Sequence, residues 1–275
     1  MTTCSKSSAP EEVGVVRSHL MGFGLAVITL AGCASANLGP FSLEWGSQGP
    51  YSFGDLELRF DLLGSSGGRE RSLRSSDLIL QYEQKLHAYV FDQSLSEFRH
   101  VHPAELEDGT GWALTLSLGR NGSYHMWIEG MVNGPSQAEE LLVSSRFEVT
   151  GGEEAWPVAD TLEISLTGSD GDSSAELEFA EPPRKSYPVQ MRLSFSRLDG
   201  SSPEIGEYLG ASVHLTGAHL GTGDLSHAHG IRVEEGGEVR MLLEATFPRS
   251  GYYRLWAQYK DGERVVTIPF AVQVD

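Results

Sequence analysis

A pattern of three histidines occurs twice in this chain at one spacing. His87 is followed, after twelve residues, by His100-Val101-His102; His214 is followed, after twelve residues, by His227-Ala228-His229. The copies lie 127 positions apart, and the text around them repeats too. Leu86-His87-Ala88-Tyr89-Val90 answers Val213-His214-Leu215-Thr216, and Glu97-Phe98-Arg99 answers Asp224-Leu225-Ser226. Gly122-Ser123-Tyr124 with Trp127 answers Gly251-Tyr252-Tyr253 with Trp256. A tandem duplication constrains the fold strongly, because whatever one copy forms, the chain must contain twice.

The repeated unit reads as β-structure. Leu56-Glu57-Leu58-Arg59-Phe60, Leu162-Glu163-Ile164-Ser165-Leu166 and Met191-Arg192-Leu193-Ser194-Phe195 alternate apolar and polar residues. Period-2 alternation bounded by Gly, Asp, Asn and Ser is the half-buried strand signal. Leu86–Phe91, Trp112–Leu118, Tyr124–Glu129, Ser145–Val149, Val239–Phe247, Tyr253–Tyr259 and Val265–Val274 are further candidates. Arg120-Asn121-Gly122-Ser123 and Lys260-Asp261-Gly262-Glu263 supply turn residues that accept positive φ. The expected fold is therefore all-β, with two tandem immunoglobulin-like antiparallel β-sandwiches. Domain 1 spans 53–150 and domain 2 spans 155–275, with the boundary at Gly151-Gly152-Glu153-Glu154. The Gly-, Asp-, Ser- and Pro-rich stretch 168–185 reads as a long loop, and Asp170-Gly171-Asp172 lacks the remaining ligands of a calcium loop.

The N-terminus suggests export. Arg17 and His19 precede an apolar run, Met21–Leu30, that is too short to span a bilayer, which needs roughly 20 apolar residues. Leu30-Ala31-Gly32-Cys33 closes it and resembles the lipobox of bacterial lipoproteins. That resemblance implies a signal peptide over 1–32, lipidation at Cys33 and a membrane anchor through the lipid. Met1–Val16, with Glu11 and Glu12, departs from a basic leader. Residues 33–52 are rich in Gly, Ser and Pro and read as a flexible tether. The other cysteine is Cys4, so a mature chain would offer no thiol. Thiolate zinc and blue-copper sites are then excluded. The formal charge of −18 opposes nucleic acid as a partner.

The histidines carry the functional reading. Residues i and i+2 of a strand share a face, so His100 and His102 point to one spot, as do His227 and His229. His87 and His214 sit on the neighbouring strands. Two metal sites are expected, His87/His100/His102 and His214/His227/His229. Imidazole suits copper or zinc, and without sulfur ligands the affinity order favours copper. Glu105 or His125 is the nearest candidate for a fourth ligand of the first site, and the second, without equivalents, is expected to be weaker. The alternative is a non-catalytic scaffold or interaction module in which the histidines are structural hydrogen-bonding residues. Tyr124, Trp127, Tyr253 and Trp256 read as core or corner residues. No nucleophile elbow, phosphate loop or dinucleotide fingerprint is present, so an enzyme is not expected.

Leu86-His87, Phe98-Arg99-His100-Val101-His102-Pro103 and Gly122-Ser123-Tyr124-His125-Met126-Trp127 resemble a module of exported bacterial proteins. Its pattern is Leu-His, Phe-x-His-x-His-Pro, then Gly-x-Tyr-x-x-Trp. The second copy departs in having Gly230 where the pattern has proline. The resemblance covers most of 55–275. It implies a secreted metal-binding β-sandwich protein, extracytoplasmic or periplasmic, that works with a metal-handling partner. Ala34, after Cys33, lacks the aspartate that resembles an inner-membrane retention signal, so in a host with two membranes the expected address is the outer membrane.

Overall fold

The computed structural model describes residues 40–46, 49–66, 69–235 and 238–275. The signal segment 1–32, Cys33 and the start of the tether lie outside them. Every long element described is a β-strand, and a single 3-10 turn occupies Ser75–Asp77.

The first domain is a sandwich of two antiparallel layers. One holds Phe41–Trp45, Gly54–Ser66, Trp112–Leu118 and Ala104–Glu105 in that order, with Arg69–Ser72 on the edge of Gly54–Ser66. The other holds Ala138–Thr150, Gly122–Asn133, Leu86–Asp92 and Phe98–Val101. Alternating side chains meet between them: Leu56, Leu58, Phe60 and Leu62 from one layer, Ala88, Val90, Met126 and Ile128 from the other. The second domain repeats this plan. Ser173–Phe179, Pro188–Arg197 and Glu238–Thr246 form one layer; Val213–His219, Gly251–Asp261 and Arg264–Val274 form the other.

The departure from proline in the second copy has a structural effect. Proline lacks an N–H and interrupts a ladder. In the first copy the chain breaks at Pro103, with Phe98–Val101 paired to one layer and Ala104–Glu105 to the other. In the second, Gly230 lets one strand, Leu225–Glu235, run through both layers. It pairs with Val213–His219 up to Gly230 and with Glu238–Thr246 from Ile231 onward.

Smaller features repeat as well. The Tyr124 hydroxyl donates to the Arg120 carbonyl at 3.2 Å, and the Tyr253 hydroxyl to the Arg249 carbonyl at 3.2 Å. Both are tyrosine corners of the kind that pin immunoglobulin-like sandwiches. Tight turns pair Gln81 with Gln84 and Tyr208 with Ala211. Their central residues, Tyr82-Glu83 and Leu209-Gly210, all have φ between 48° and 69°.

Three expectations need correction. Part of the stretch read as a tether, 33–52, is strand: Phe41–Trp45 ladders onto Gly54–Ser66, Tyr51–Ser52 pairs with Val149–Thr150, and Phe41 is buried in the core. Leu162–Leu166 is extended but not a strand, since only Ser165 forms a bridge, to Ala271. Alternation reports extended backbone without guaranteeing a partner. The loop read at 168–185 is instead a hairpin, Thr167–Asp170 with Ser173–Phe179, closed by Gly171 at φ 61°. Asp170 and Asp172 there pair with Arg264.

The two domains meet through their Leu86–Asp92 and Val213–His219 layers. Along Leu86–Asp92 every residue is buried, although only alternate ones face the domain's own core. The others look into the second domain. Tyr89, Phe91, Leu95 and Trp127 pack with Ala218, Leu220, Leu225 and Trp256 in a shared apolar cluster. Phe98 stacks on Trp256 with ring centroids 4.4 Å apart and planes 9° apart. The Trp127 indole N–H donates to the Gly223 carbonyl at 2.7 Å. Trp127 and Trp256 are thus interface residues.

Candidate metal centre

All six repeated histidines collect at this interface, beside the apolar cluster. The strand registers bring each triad together. His214 lies directly opposite His229, and Thr216 opposite His227. In the first domain Tyr89 lies opposite His100 and Ala88 opposite Val101, which places His102 across from His87. Facing residues on antiparallel strands have Cβ atoms roughly 4.5–5.5 Å apart. The ring centroids accordingly stand 5.1 Å apart for His87–His102 and 4.7 Å for His214–His229. In each triad one nitrogen per ring can be chosen so that all lie within 4.8 Å of one another. Some point then lies within about 2.8 Å of all three atoms. Copper or zinc bonds of roughly 2.0–2.1 Å then require ring movements of under about 1 Å.

The two triads also face each other. His100 and His214 have centroids 5.8 Å apart, so the two expected sites lie side by side at the interdomain surface. His87, His214 and His227 are buried. His102 and His229 are part-buried and open on recesses of about 560 and 990 Å³ respectively. Each triad therefore has its own way in for an ion.

Hydrogen bonds to oxygen acceptors orient four of the six rings, His87, His100, His214 and His227. His87 Nε2 lies 3.3 Å from the Gln81 carbonyl and must donate to it, leaving Nδ1 unprotonated in the neutral ring. His100 Nδ1 donates to Gln258 Oε1 at 2.9 Å, leaving Nε2 unprotonated. The other end of the Gln258 amide, Nε2, donates to Thr267 Oγ1 at 3.1 Å. His87 Nδ1 and His100 Nε2 stand 3.2 Å apart, within hydrogen-bond distance. His102 Nε2 is buried with no partner. The second triad repeats this. His214 Nε2 donates to the Tyr208 carbonyl at 2.8 Å, and its buried Nδ1 has no partner. His227 Nδ1 donates to Glu129 Oε2 at 3.0 Å, and His229 Nε2 is a buried orphan. Buried polar atoms normally find partners. The partnerless nitrogens of His102, His214 and His229 are groups that a bound cation would satisfy.

The protonation energetics agree. Burial, reinforced by the neighbouring rings, pushes His214 down to about 3 and His102 to about 4. Burial also lowers His87, and it takes His100 and His229 well below the ordinary imidazole value. Neutral rings are the form that ligates metal. Burial would raise the Glu129 carboxyl, but His227, His87 and the Tyr89 hydroxyl outweigh it and hold it well below the usual carboxylate range.

Neither fourth-ligand candidate belongs to the groups that converge. Glu105 lines the recess beside His102, but its carboxylate accepts the Ser75 N–H at 3.1 Å. His125 lies against Phe91 and Trp127, away from the triads. Among the described residues, the converging groups are histidines only. Sequence reasoning missed the supporting shell: Glu129, Gln258, Tyr82, Tyr89 and Tyr208. Tyr82 stacks on His229 at 3.9 Å and reaches it from the other domain. Tyr89 donates to Glu129 at 2.9 Å. A signal for two of them existed: Glu129 and Gln258 each follow a tryptophan by two positions, at matching points of the repeat and within apolar strands.

Residues 168–275 match a family described as a domain of unknown function (DUF8832). No curated protein matches the chain. Among solved structures, a mutant Salmonella alpha-2-macroglobulin is 16% identical with a TM-score of 0.26, covering 92% of this chain and 16% of its own. This chain thus spans a small part of that protein. A titin fragment, A168169, is 12% identical with a TM-score of 0.20, over 85% of this chain and 97% of its own. The D00-D0 domain of intimin is 8% identical with a TM-score of 0.20, over 86% and 99%.

Proposed function

We propose that the protein is an extracytoplasmic, lipid-anchored metal-binding protein whose two histidine triads each hold a transition-metal ion at the domain interface. The observation that carries this reading is the convergence of three imidazoles in each triad, with one nitrogen per ring within 4.8 Å of the others and with His102 Nε2, His214 Nδ1 and His229 Nε2 buried without a partner. Copper is favoured and zinc is acceptable, because the donors are neutral imidazoles without sulfur or carboxylate. Anchoring rests on Leu30-Ala31-Gly32-Cys33. Mass spectrometry of the membrane fraction should find a lipidated Cys33 as the mature N-terminus.

The competing reading is a scaffold in which the rings staple the domains. Its support is the set of interdomain hydrogen bonds, His100 with Gln258 and His227 with Glu129 and Tyr89. His102 and His229 separate the two, because neither Nε2 has a partner to lose. Under the metal reading, titration of the metal-free protein with zinc or copper(II) gives two ions per chain, and His102→Ala or His229→Ala gives one. In chelator the same variants lose little stability. A wild type that takes up no ion, with both variants destabilised in chelator, would establish the scaffold instead.

A further inference from the structure

The two triads are built alike but supported unequally, and each support comes from the other domain. His100 of the first triad donates to Gln258 of the second domain at 2.9 Å. His227 of the second triad donates to Glu129 of the first domain at 3.0 Å. Gln258 and Glu129 occupy matching places: Glu129 is in register with His87, and Gln258 with His214. The duplication has therefore exchanged the outer supports across the interface and made one of them charged.

We infer that Glu129 is a positioning residue that makes His214/His227/His229 the tighter of the two metal sites, with Gln258 playing the same part, more weakly, for His87/His100/His102. The inference rests on the metal-binding reading above. A carboxylate behind a ligating imidazole fixes the tautomer and raises the basicity of the other nitrogen. Its negative charge also offsets part of the dication's charge where little water competes. Glutamine supplies the same acceptor geometry without the charge. Tyr89 strengthens the difference, because its hydroxyl donates to Glu129 and holds the carboxylate against His227; Thr216 occupies the matching position in the second copy. The resulting order reverses the one expected from sequence, where the second site was the weaker.

The test is zinc titration of the full chain in single-triad backgrounds. His102→Ala leaves the second site and His229→Ala leaves the first. The second site should bind about 10–100-fold more tightly, the usual scale of an outer-shell effect. Glu129→Gln should remove most of that advantage in the His102→Ala background. Gln258→Glu should tighten the first site in the His229→Ala background, so the Glu129→Gln/Gln258→Glu exchange should invert the order. A residue that merely stabilised the interface would weaken or spare both sites together. Equal affinities at the two sites, or charge changes that leave each affinity unmoved, would overturn the inference while leaving metal binding intact. Absence of zinc uptake at either triad would overturn both. Should Glu129→Gln fail to fold, the Gln258→Glu result decides alone: tightening of the first site supports the inference and no change refutes it.

Discussion

Buried neutral histidines make the metal-free protein acid-labile, and the cost can be worked out. Burial, then the neighbouring His227, takes His214 down to about 3; burial, then the charge of Arg146, takes His125 down to about 4. Both rings titrate near 6.5 when the chain is unfolded. Their folded values are depressed, so between the folded and unfolded values the unfolded chain binds more protons. Stability is then full above about pH 6.5 and falls as the pH drops. At pH 5, some 1.5 units below the unfolded value and above both folded ones, each ring costs roughly 2 kcal/mol at 1.36 kcal/mol per unit. The pair costs roughly 4 kcal/mol, a large part of a typical 5–15 kcal/mol. His87, His100 and His229 are shifted the same way and add to this. Glu129 does not contribute in this window, because its depressed value matters only below the ordinary carboxylate range. The assay is urea unfolding in chelator from pH 8 to pH 5. His125 stands outside the triads, so His125→Asn should flatten the pH dependence by roughly 2 kcal/mol without changing metal stoichiometry. A wild-type midpoint that stays level from pH 8 to 5 would refute the assignment of these rings as buried and neutral.

Other outcomes follow from single contacts. Saturating zinc or copper(II) at pH 7.5 should raise the unfolding free energy by about 2.7 kcal/mol per site at a hundredfold excess over Kd; calorimetry with and without chelator checks this. Trp256→Ala removes the stack on Phe98 and part of the shared cluster. It should cost about 3–5 kcal/mol and split thermal unfolding into two transitions as the domains uncouple. Gly230→Pro should break the strand that crosses both layers, through loss of an N–H and through crowding of Val213 Cβ at 3.1 Å and Met241 Cβ at 3.2 Å. Loss of roughly 1–3 kcal/mol in urea is expected, although proline is native at the matching position 103. Glu83→Gly should add up to about 1 kcal/mol, because Glu83 holds φ at 65° where the second copy uses Gly210; a lowered midpoint would count against this.

Much of this architecture is legible in the sequence because duplication gives each signal twice. The spacing of His87, His100 and His102 is that of two adjacent strands, and the ladders place these rings as that spacing requires. Tyr124 and Tyr253 read as corner residues and are so. The interface is harder to read, although its trace lies in Leu86-His87-Ala88-Tyr89-Val90-Phe91. A strand with one solvated face alternates with polar residues, whereas this one offers imidazole and aromatic rings on its second face. Such a strand is covered on both sides, and here the cover is the other domain. Glu129 and Gln258 escape a search for ligands because they bind no ion: each acts through a histidine of the opposite copy, 98 or 158 positions away. Local spacing finds the groups that share a strand pair. It cannot find groups joined only when two finished sandwiches dock, and in this protein those groups are the ones that distinguish one triad from the other.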